Sequence, residues 1–430
     1  MPFVAIEWSQ FANSNDGGQT IDPIADLIKN PLRHVYRAVK IGGLKLDYPM
    51  PKNKYRRYLV YAHRTFCVFL ATMLTLIAVE PWLLHVSHEN ARPLHSTIAT
   101  LSICLNSLYA TAAMAVWILL FATWTNRLEG FWQTLAKATN AIGVVRFPLV
   151  VRYTVTAAGS FCLGTWALLV LYDIHCMYVL PELIVDHRDV WTVDYAHNHS
   201  FLTSNIATKS VLLLAHVYLL VVWSALVCLC SAQLASLCVE LYAYNRDLSI
   251  DTNLYQCAVA KHYFYVHYKL RQLVRYADVQ LLVTVFAAAL VAAAVAALIA
   301  TVNCFANDNG LRMIAVSSES TTPWSLAPWL NIGAVLVMVL ALLVPAVAFV
   351  VAALFIRLQA SVIVRILAKL TACDRSMEPE MYSMAQCYTQ HFLACPSRGL
   401  HLAFVLPVNK RVVAILVAIA VVMIINLLLS

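Results

Sequence analysis

The chain has 430 residues, of which 61% are hydrophobic and 12% are charged. About a quarter of the residues in soluble domains are charged, so this composition excludes a soluble multidomain protein and predicts burial in a lipid bilayer. The net charge of +8 is spread over the polar segments and indicates orientation in a membrane. It does not indicate a nucleic-acid-binding surface, and we expect no nucleic-acid partner.

Seven continuous apolar segments follow one another along the chain. They cover roughly residues 65–86, 97–124, 149–179, 210–238, 279–304, 329–356 and 411–429. A helix needs about 20 apolar residues to cross the hydrocarbon core, and the lack of period-two alternation favours helices over barrel strands. The sequence therefore predicts an all-α membrane protein with seven transmembrane helices, preceded by a polar region without a signal peptide.

The Lys and Arg residues lie almost entirely on one side of the predicted membrane. Of the thirty, twenty-six lie in the N-terminal region and in the second, fourth and sixth loops. The other loops contain only Arg92, Arg188, Lys209 and Arg312. Because cytoplasmic loops carry an excess of Lys and Arg, we expect a cytoplasmic N-terminus and an extracellular C-terminus, the reverse of a G-protein-coupled receptor.

The longest outer loop, 180–209, holds a glycosylation sequon and a small group of potential metal ligands. The sequon begins at Asn198, which is the predicted glycosylation site. Asp194, His197 and His199 have a spacing that a metal ion accepts, but no further ligand is defined, and loop histidines are usually solvated. We therefore predict no metal site.

Two long inner segments, 239–278 and 357–410, are predicted to extend the membrane helices into the cytoplasm. The first has one apolar helical stripe opposed by basic residues. The stripe comprises Val259, Tyr263, Val266, Leu270, Leu273 and Ala277. Both segments together predict a cytoplasmic helical collar at which subunits join, with simple surface-lying helices as the alternative.

Polar and aromatic residues in the outward halves of helices two to six predict a ligand pocket. Polar groups inside a membrane are costly unless they are partnered, and small-molecule sites combine aromatic walls with a few polar groups. The residues are Asn106, Tyr109, Trp166, Tyr172, Asp173, His216, Tyr218, Asn303, Trp329 and Asn331. Interfacial aromatic belts and polar bonds between helices are the alternatives for single members of this set.

The last segment, 411–429, has no charged residue after its first position, and its only amide side chain is that of Asn426. Helical steps back from Asn426 reach Met423 or Val422 and then Ile419 on one face. In several copies around an axis, this face would form a hydrophobic constriction that gates by dewetting, with an amide ring outside it.

The outer segments carry nine carboxylates, and no segment carries a catalytic motif. The carboxylates are Glu80, Glu89, Asp173, Glu182, Asp186, Asp189, Asp194, Asp308 and Glu319. A negative mouth concentrates cations, so permeating cations are an expected partner. The G-x-S-x-G, P-loop, H-E-x-x-H and dinucleotide patterns are absent from the sequence, so we expect neither enzyme activity nor a cofactor.

The C-terminal third contains short motifs in a distinctive order. A helix ending in QHFLA at 390–394 is followed by RGL at 398–400 and by FVLPVNKR at 404–411. This order resembles the cytoplasmic helix, glycine, apolar turn and basic pore-helix entry of insect seven-helix chemoreceptors, of the gustatory receptors first and the odorant receptors second. The stretches NRDL at 245–248 and LRQLV at 270–274 resemble the same superfamily.

The end of the chain departs from the gustatory pattern of Thr-Tyr, five apolar residues and Gln-Phe. Ile419 and Ala420, then five apolar residues, then Asn426 and Leu427 occupy these positions, so the spacing is retained without the four marked residues. The resemblance implies a tetrameric cation channel, with four last helices lining the pore and an outward ligand pocket in each subunit. By position, it places Asn426 and Leu427 at the outer pore constriction.

The leading hypothesis is a chemosensory receptor in the plasma membrane of sensory neurons. It would act as a ligand-gated, non-selective cation channel opened by a small-molecule tastant, in a homo- or heterotetramer surrounded by lipid. The alternatives are a seven-helix receptor without its own pore, such as a G-protein-coupled receptor, a transporter, and a structural membrane protein. The expected divisions are a cytoplasmic region (1–64), helices one to six (65–356), anchor helices (357–410) and a pore helix (411–430).

Overall fold

The computed structural model describes residues 96–124, 147–174, 206–251, 256–279, 281–306, 327–373 and 400–402. It also describes parts of 32–37, 53–75, 131–135, 379–390 and 406–418. The predicted first and seventh spans lie largely outside the described residues.

Long helices make up nearly all of the described structure. They are α1 (Ser96–Trp124), α2 (Phe147–Ile174), α3 (Ile206–Ile250), α4 (Cys257–Val279), α5 (Leu281–Ala306) and α6 (Ala327–Cys373). Two short strands, β1 (His401–Leu402) and β2 (Leu406–Pro407), pair antiparallel, with Leu402 opposite Leu406. The predicted spans two to six coincide with α1, α2, α3, α5 and α6, so the expected all-helical membrane architecture is confirmed. Orientation in the membrane stays a prediction.

Two of the helices are much longer than a membrane is thick. With 45 residues in α3 and 47 in α6, each extends over ~65–70 Å at 1.5 Å per residue, against ~30 Å of hydrocarbon core. The sequence analysis ended span four at residue 238 and predicted a helical extension after it, and α3 continues to Ile250. The reason is local: residues 239–250 contain no Gly or Pro that would interrupt the helix.

The predicted inner segment 239–278 is therefore divided between two helices. Its first part belongs to α3, and its amphipathic stripe forms α4, which packs on α3 and α5. The stripe residues Val266, Leu270, Leu273 and Ala277 are all buried, while the basic residues opposite them are not. The apolar face of α4 thus fixes this helix against the extended end of the bundle.

The helix α3 lies at the centre of the subunit, and α2 lies at its edge. In the most apolar stretch of α3, 72% of the residues are buried, against 11% in α2. Trp223 of α3 and Phe286 of α5 are among the largest fully buried side chains. By length and composition, α2, α3, α5 and α6 each contain a stretch that is able to cross a membrane, and the described part of α1 contributes the shorter apolar stretch Ser107–Phe121.

Candidate functional site

Four of the predicted pocket residues have described side chains, and all four contact the hydrophobic core. Tyr109 on α1 is buried, whereas Trp166 and Tyr172 on α2 and Tyr218 on α3 are half-buried and pack against the core. The bundle thus brings aromatic side chains from three helices to its interior, as a pocket wall requires.

The other predicted pocket residues are placed in helices, but their side chains lie outside the described part of the structure. These are Asn106 on α1, Asp173 on α2, His216 on α3, Asn303 on α5, and Trp329 and Asn331 on α6. The pore residues Ile419, Val422, Met423, Asn426 and Leu427, the glycosylation site Asn198, and the Asp194–His199 group also lie outside the described residues. Their roles stay predictions.

Trp166 has a feature that suits a binding site. Its indole Nε1 is buried and has no hydrogen-bond acceptor among the described atoms. A buried donor without a partner costs ~1–3 kcal/mol, and a ligand that carries an acceptor would recover this energy. Among the predicted pocket residues whose side chains are described, Trp166 is the one with such an atom, which agrees with the predicted outward pocket.

The structure has a cavity nearer the end of the bundle opposite to Trp166. A cavity of about 470 Å³ opens between α2, α3, α5 and α6. Its lining is Thr154, Ala157, Ala158, Phe161, Val227, Cys230, Ser231, Leu234, Ala235, Phe286, Ala287, Leu290, Val344, Pro345, Ala348, Phe349 and Ala352. With the predicted orientation, these residues occupy the middle and the cytoplasmic half of their spans. The sequence analysis did not predict this site, because apolar residues on four separate helices give no signal of a shared cavity.

Polar contacts tie the inner extensions of α3 and α6 together. The amide Nδ2 of Asn245 donates hydrogen bonds to the main-chain oxygen of Gln359, at 2.8 Å, and to its side-chain Oε1, also at 2.8 Å. Asn245 is 6% exposed, and hydrogen bonds between buried groups hold their elements in one register. These contacts fix two long helices against each other beyond the spans predicted from the sequence, 210–238 and 329–356.

The helix α4 is joined to the same extension of α3 through two tyrosines. The hydroxyl of Tyr244 donates to the main-chain oxygen of Tyr263 at 2.9 Å, and the hydroxyl of Tyr263 donates to Asp251 Oδ2 at 2.9 Å. Burial, together with the hydrogen bond to Asp251 and the negative charge there, raises the pKa of Tyr263 to about 12. Tyr263 therefore stays a neutral donor at every physiological pH.

A buried histidine on α4, His267, stacks on Tyr244 and is uncharged at neutral pH. His267 is 4% exposed, and its ring stacks on that of Tyr244 with centroids 5.8 Å apart. Burial, with a smaller effect of the positive charge of Arg271, lowers the pKa of His267 to about 3. At neutral pH this imidazole is uncharged, which suits its position among apolar side chains.

The segment ahead of the last helix is held from two sides. His401 in β1 is bonded to Asp278 at the end of α4, through its main-chain NH at 2.7 Å and its ring Nδ1 at 2.9 Å. Arg357 of α6 donates from Nη1 to the main-chain oxygen of Val408 at 3.3 Å. Val408 and Leu400 are fully buried, and the Val408 NH donates to the Leu400 oxygen at 3.0 Å.

The last helix begins directly after this segment. Asn409 Oδ1 accepts a hydrogen bond from the NH of Val412 at 2.9 Å, the geometry of a helix N-cap. The cap lies one residue beyond Val408, so one hydrogen bond and one peptide unit connect Arg357 of α6 to the start of the last helix. The sequence analysis identified the basic entry to this helix but neither of the contacts that hold it.

The sequence analysis did not identify Asp278, although its position in the sequence is unusual. It is the only carboxylate between Asp251 and Asp308, and it follows the basic face of α4. Its partner His401 lies 123 positions further along the chain, so only the folded structure shows the pair. Among the described residues, no group of three or more His, Cys, Asp or Glu side chains is arranged to hold a metal ion.

Two solved structures of one insect receptor have the same fold. The olfactory receptor OR5 of Machilis hrabei in complex with eugenol aligns with a TM-score of 0.59 and 11% identity, over 94% of this chain and 97% of the receptor. A second structure of this receptor aligns with a TM-score of 0.54 and 13% identity, over 93% and 97%. A scan against models of protein families finds no match, and neither does a search of curated proteins.

The similarity extends along almost the whole chain, so the protein has the seven-helix fold of an insect olfactory receptor. The resemblance to insect chemoreceptors that the sequence motifs indicated is therefore confirmed at the level of the fold. The matched structures are of an odorant receptor, the second choice of the sequence analysis, whose first choice was the gustatory receptors.

Proposed function

We propose that the protein is a chemosensory receptor that acts as a ligand-gated cation channel in the plasma membrane of sensory neurons. The observation that carries the proposal is the shared fold, over almost the full length of both chains, with an olfactory receptor solved in complex with eugenol. Together with the motif resemblance, this favours a small organic molecule as the ligand.

The proposed ligand site is the outward pocket around Trp166, Tyr172 and Tyr218. A ligand opens the channel only by binding the open arrangement more tightly than the closed one. The helix α6 provides a physical route, because Trp329 and Asn331 lie in its first turns and Arg357 lies in its inner extension. A small tilt of α6 at the pocket would move the Val408 segment and therefore the last helix.

The proposed pore is a ring of four last helices, one from each subunit of a homo- or heterotetramer. Ile419, Val422 and Met423 would form the hydrophobic constriction, and Asn426 and Leu427 the outer end. The collar formed by α4 and the inner ends of α3 and α6 would hold the four subunits around this axis. An N-terminus in the cytoplasm is a necessary part of this arrangement.

Whole-cell recording tests the proposal. Cells that express the full chain are screened with panels of volatile and water-soluble organic compounds, and we expect an inward cation current to at least one compound. Antibody access to an N-terminal tag in intact cells checks the orientation, and we expect labelling only after permeabilisation. Responses that need a G protein, or a tag accessible from outside, would contradict the proposal.

Cysteine substitution tests the pore assignment separately. We expect the ligand-evoked current of Ile419→Cys and Val422→Cys to be blocked by a positively charged thiol reagent applied during opening. Val421→Cys is the matched control, because helical periodicity places it away from the proposed pore face. Equal modification of all three variants would rule out this pore-lining face.

A further inference from the structure

The apolar cavity between α2, α3, α5 and α6 has the dimensions and the surroundings of a site for a lipid chain. Its volume of about 470 Å³ lies within the ~300–1,000 Å³ typical of small-molecule sites. The lining extends from Thr154 to Phe161 on α2 and from Val344 to Ala352 on α6, which is ~10–12 Å along each helix at 1.5 Å per residue. The lining thus follows α2 and α6 along their axes, the direction in which an acyl chain lies in a bilayer.

The inner wall of the cavity is buried in the bundle, and its mouth opens sideways between α2 and α6. Phe286, Leu290 and Phe349 in the wall are buried, whereas Ala157 on α2 and Val344 and Ala348 on α6 are exposed. The lining contains no charged residue, and its only side-chain polar groups are the hydroxyls of Thr154 and Ser231 and the thiol of Cys230. Such a wall accepts a hydrocarbon and penalises any charged ligand.

The position of the mouth along the helices indicates which molecules surround it. The lining residues lie inside the membrane-crossing stretches Leu149–Tyr172 and Gly333–Ala360. Beside the mouth, α2 exposes large apolar side chains, with Leu163 67% exposed and Tyr153 72% exposed. With the predicted orientation, this position is the cytoplasmic leaflet. The hydrocarbon available there is the acyl chain of a phospholipid.

The cavity lies beside a proline of α6. Pro345 lies inside the helix and lines the cavity. Proline cannot donate a hydrogen bond to the residue four positions earlier, and its ring crowds that carbonyl, so a helix bends most easily at such a position. Twelve residues further on, Arg357 contacts the segment ahead of the last helix. An occupant that packs on Pro345 therefore acts on the part of α6 that leads to the last helix.

We infer that this cavity binds one acyl chain of a cytoplasmic-leaflet phospholipid, and that its occupancy sets the bend of α6 at Pro345 and so the ease of opening. The binding part rests on the cavity alone. The effect on opening rests on the proposed channel function. Two readouts separate the two parts: chemical labelling for binding and ligand-evoked current for regulation.

Photo-crosslinking tests the binding. The full chain is purified into lipid nanodiscs that contain phosphatidylcholine with a diazirine in the acyl chain, and the labelled residues are mapped by mass spectrometry. We expect labels on α2 between 154 and 161 and on α6 between 344 and 352. Ala157→Phe, which fills the mouth, should lower this labelling about tenfold, equivalent to ~1.4 kcal/mol of binding free energy.

Ala167→Phe is the matched control, because Ala167 is exposed on the same helix and does not line the cavity. It should leave the cavity labels unchanged. Ala348→Phe fills the mouth from α6 and is the second variant if Ala157→Phe fails to elute as folded protein. Uniform labelling of all exposed faces, equal in both α2 variants, would overturn the site.

Recording in the same variants tests the regulation. We expect Ala157→Phe and Ala348→Phe to shift the ligand concentration for half-maximal current at least about threefold relative to Ala167→Phe. Cavity labels without any such shift would leave a lipid site but overturn its regulatory role. Cavity labels in a protein that conducts no current would contradict the proposed channel function, not the site.

Discussion

The carboxylate of Asp278 accepts hydrogen bonds from both the main-chain NH and the ring of His401. The distances are 2.7 Å from the NH to Oδ1 and 2.9 Å from Nδ1 to Oδ2, and the two side chains are only 19% and 13% exposed. This contact joins the end of α4 to β1, and β1 precedes the last helix by a few residues. Hydrogen bonds thus connect α4 to the segment that leads into the proposed pore helix.

Removal of this carboxylate should destabilise the protein. Asp278→Ala leaves a part-buried NH and an imidazole without their acceptor, and we expect a loss of ~1–3 kcal/mol in the free energy of unfolding. Glu380→Ala is the control, because Glu380 is paired with Lys261 at 3.5 Å and is 75% exposed. Exposed pairs contribute ~0–1 kcal/mol. Thermal unfolding of the purified variants in detergent measures both, and equal midpoints would contradict a structural role for Asp278.

The contact between α3 and α6 should be sensitive to the loss of one amide. Asn245→Ala removes two hydrogen bonds of 2.8 Å from a residue that is 6% exposed. We expect the unfolding free energy to fall by ~1–2 kcal/mol. The exposed Gln272 on α4 is the control, and Gln272→Ala should lie within ~0.5 kcal/mol of the wild type. Hydrogen exchange of the α6 extension should also increase in Asn245→Ala alone.

His267 should make the protein less stable in mild acid. The folded state lowers the pKa of His267 to about 3 from its ordinary 6.5, so below pH 6.5 the unfolded chain binds a proton that the folded chain does not. Stability is therefore lost as the pH falls from about 6.5 towards 3 and is unaffected above this window. Between pH 7.5 and 5.5 we expect a loss of ~1 kcal/mol from this residue.

His267→Phe checks the assignment, because phenylalanine keeps a ring against Tyr244 and cannot take up a proton. The difference in unfolding temperature between pH 7.5 and pH 5.5 should be smaller in this variant than in the wild type. His262→Phe, at an exposed position on the same helix, should leave the wild-type difference intact. An unchanged pH dependence in His267→Phe would mean that other groups determine acid sensitivity.

Arg357 should matter for gating more than for folding. Its hydrogen bond to the Val408 oxygen is 3.3 Å long, and its replacement by Lys retains the charge but not the geometry of the guanidinium. We expect Arg357→Lys to raise the ligand concentration for half-maximal current several-fold, with surface expression unchanged. Arg275→Lys, at an exposed site on α4, is the control. Equal dose–response curves would show that α6 does not act on the last helix here.

Much of the architecture was predictable from sequence because lipid imposes simple rules on it. Apolar stretches of sufficient length mark the crossing helices, and the apolar stripe of residues 259–277 marks α4 as a helix packed on its neighbours. Span four ends at residue 238 by hydropathy, which reports the membrane boundary, and α3 continues to Ile250 in the segment where a helical extension was predicted. Residues 239–250 continue the helix although Asn245, Asp247 and Ser249 are weak helix formers, so hydrogen bonds to α6 and α4 contribute to this continuation.

The polar contacts that hold the segment ahead of the last helix could not be predicted from the sequence. Asp278 and His401, or Arg357 and Val408, are brought together only by tertiary packing, and neither pair has a spacing that sequence periodicity detects. The cavity beside Pro345 likewise depends on small side chains from four helices. For the outward pocket, the sequence identified suitable residue types, and whether they bind one ligand stays a prediction.

The most direct test of the central proposal is recording from the purified protein alone. The full chain is reconstituted into planar bilayers that contain no other protein, and compounds active in whole-cell recordings are applied to the proposed extracellular face. We predict discrete single-channel openings that pass both sodium and potassium and that are altered by Ile419→Cys after thiol modification. A correctly folded, ligand-binding preparation without any conductance would contradict the proposal that this chain forms its own pore.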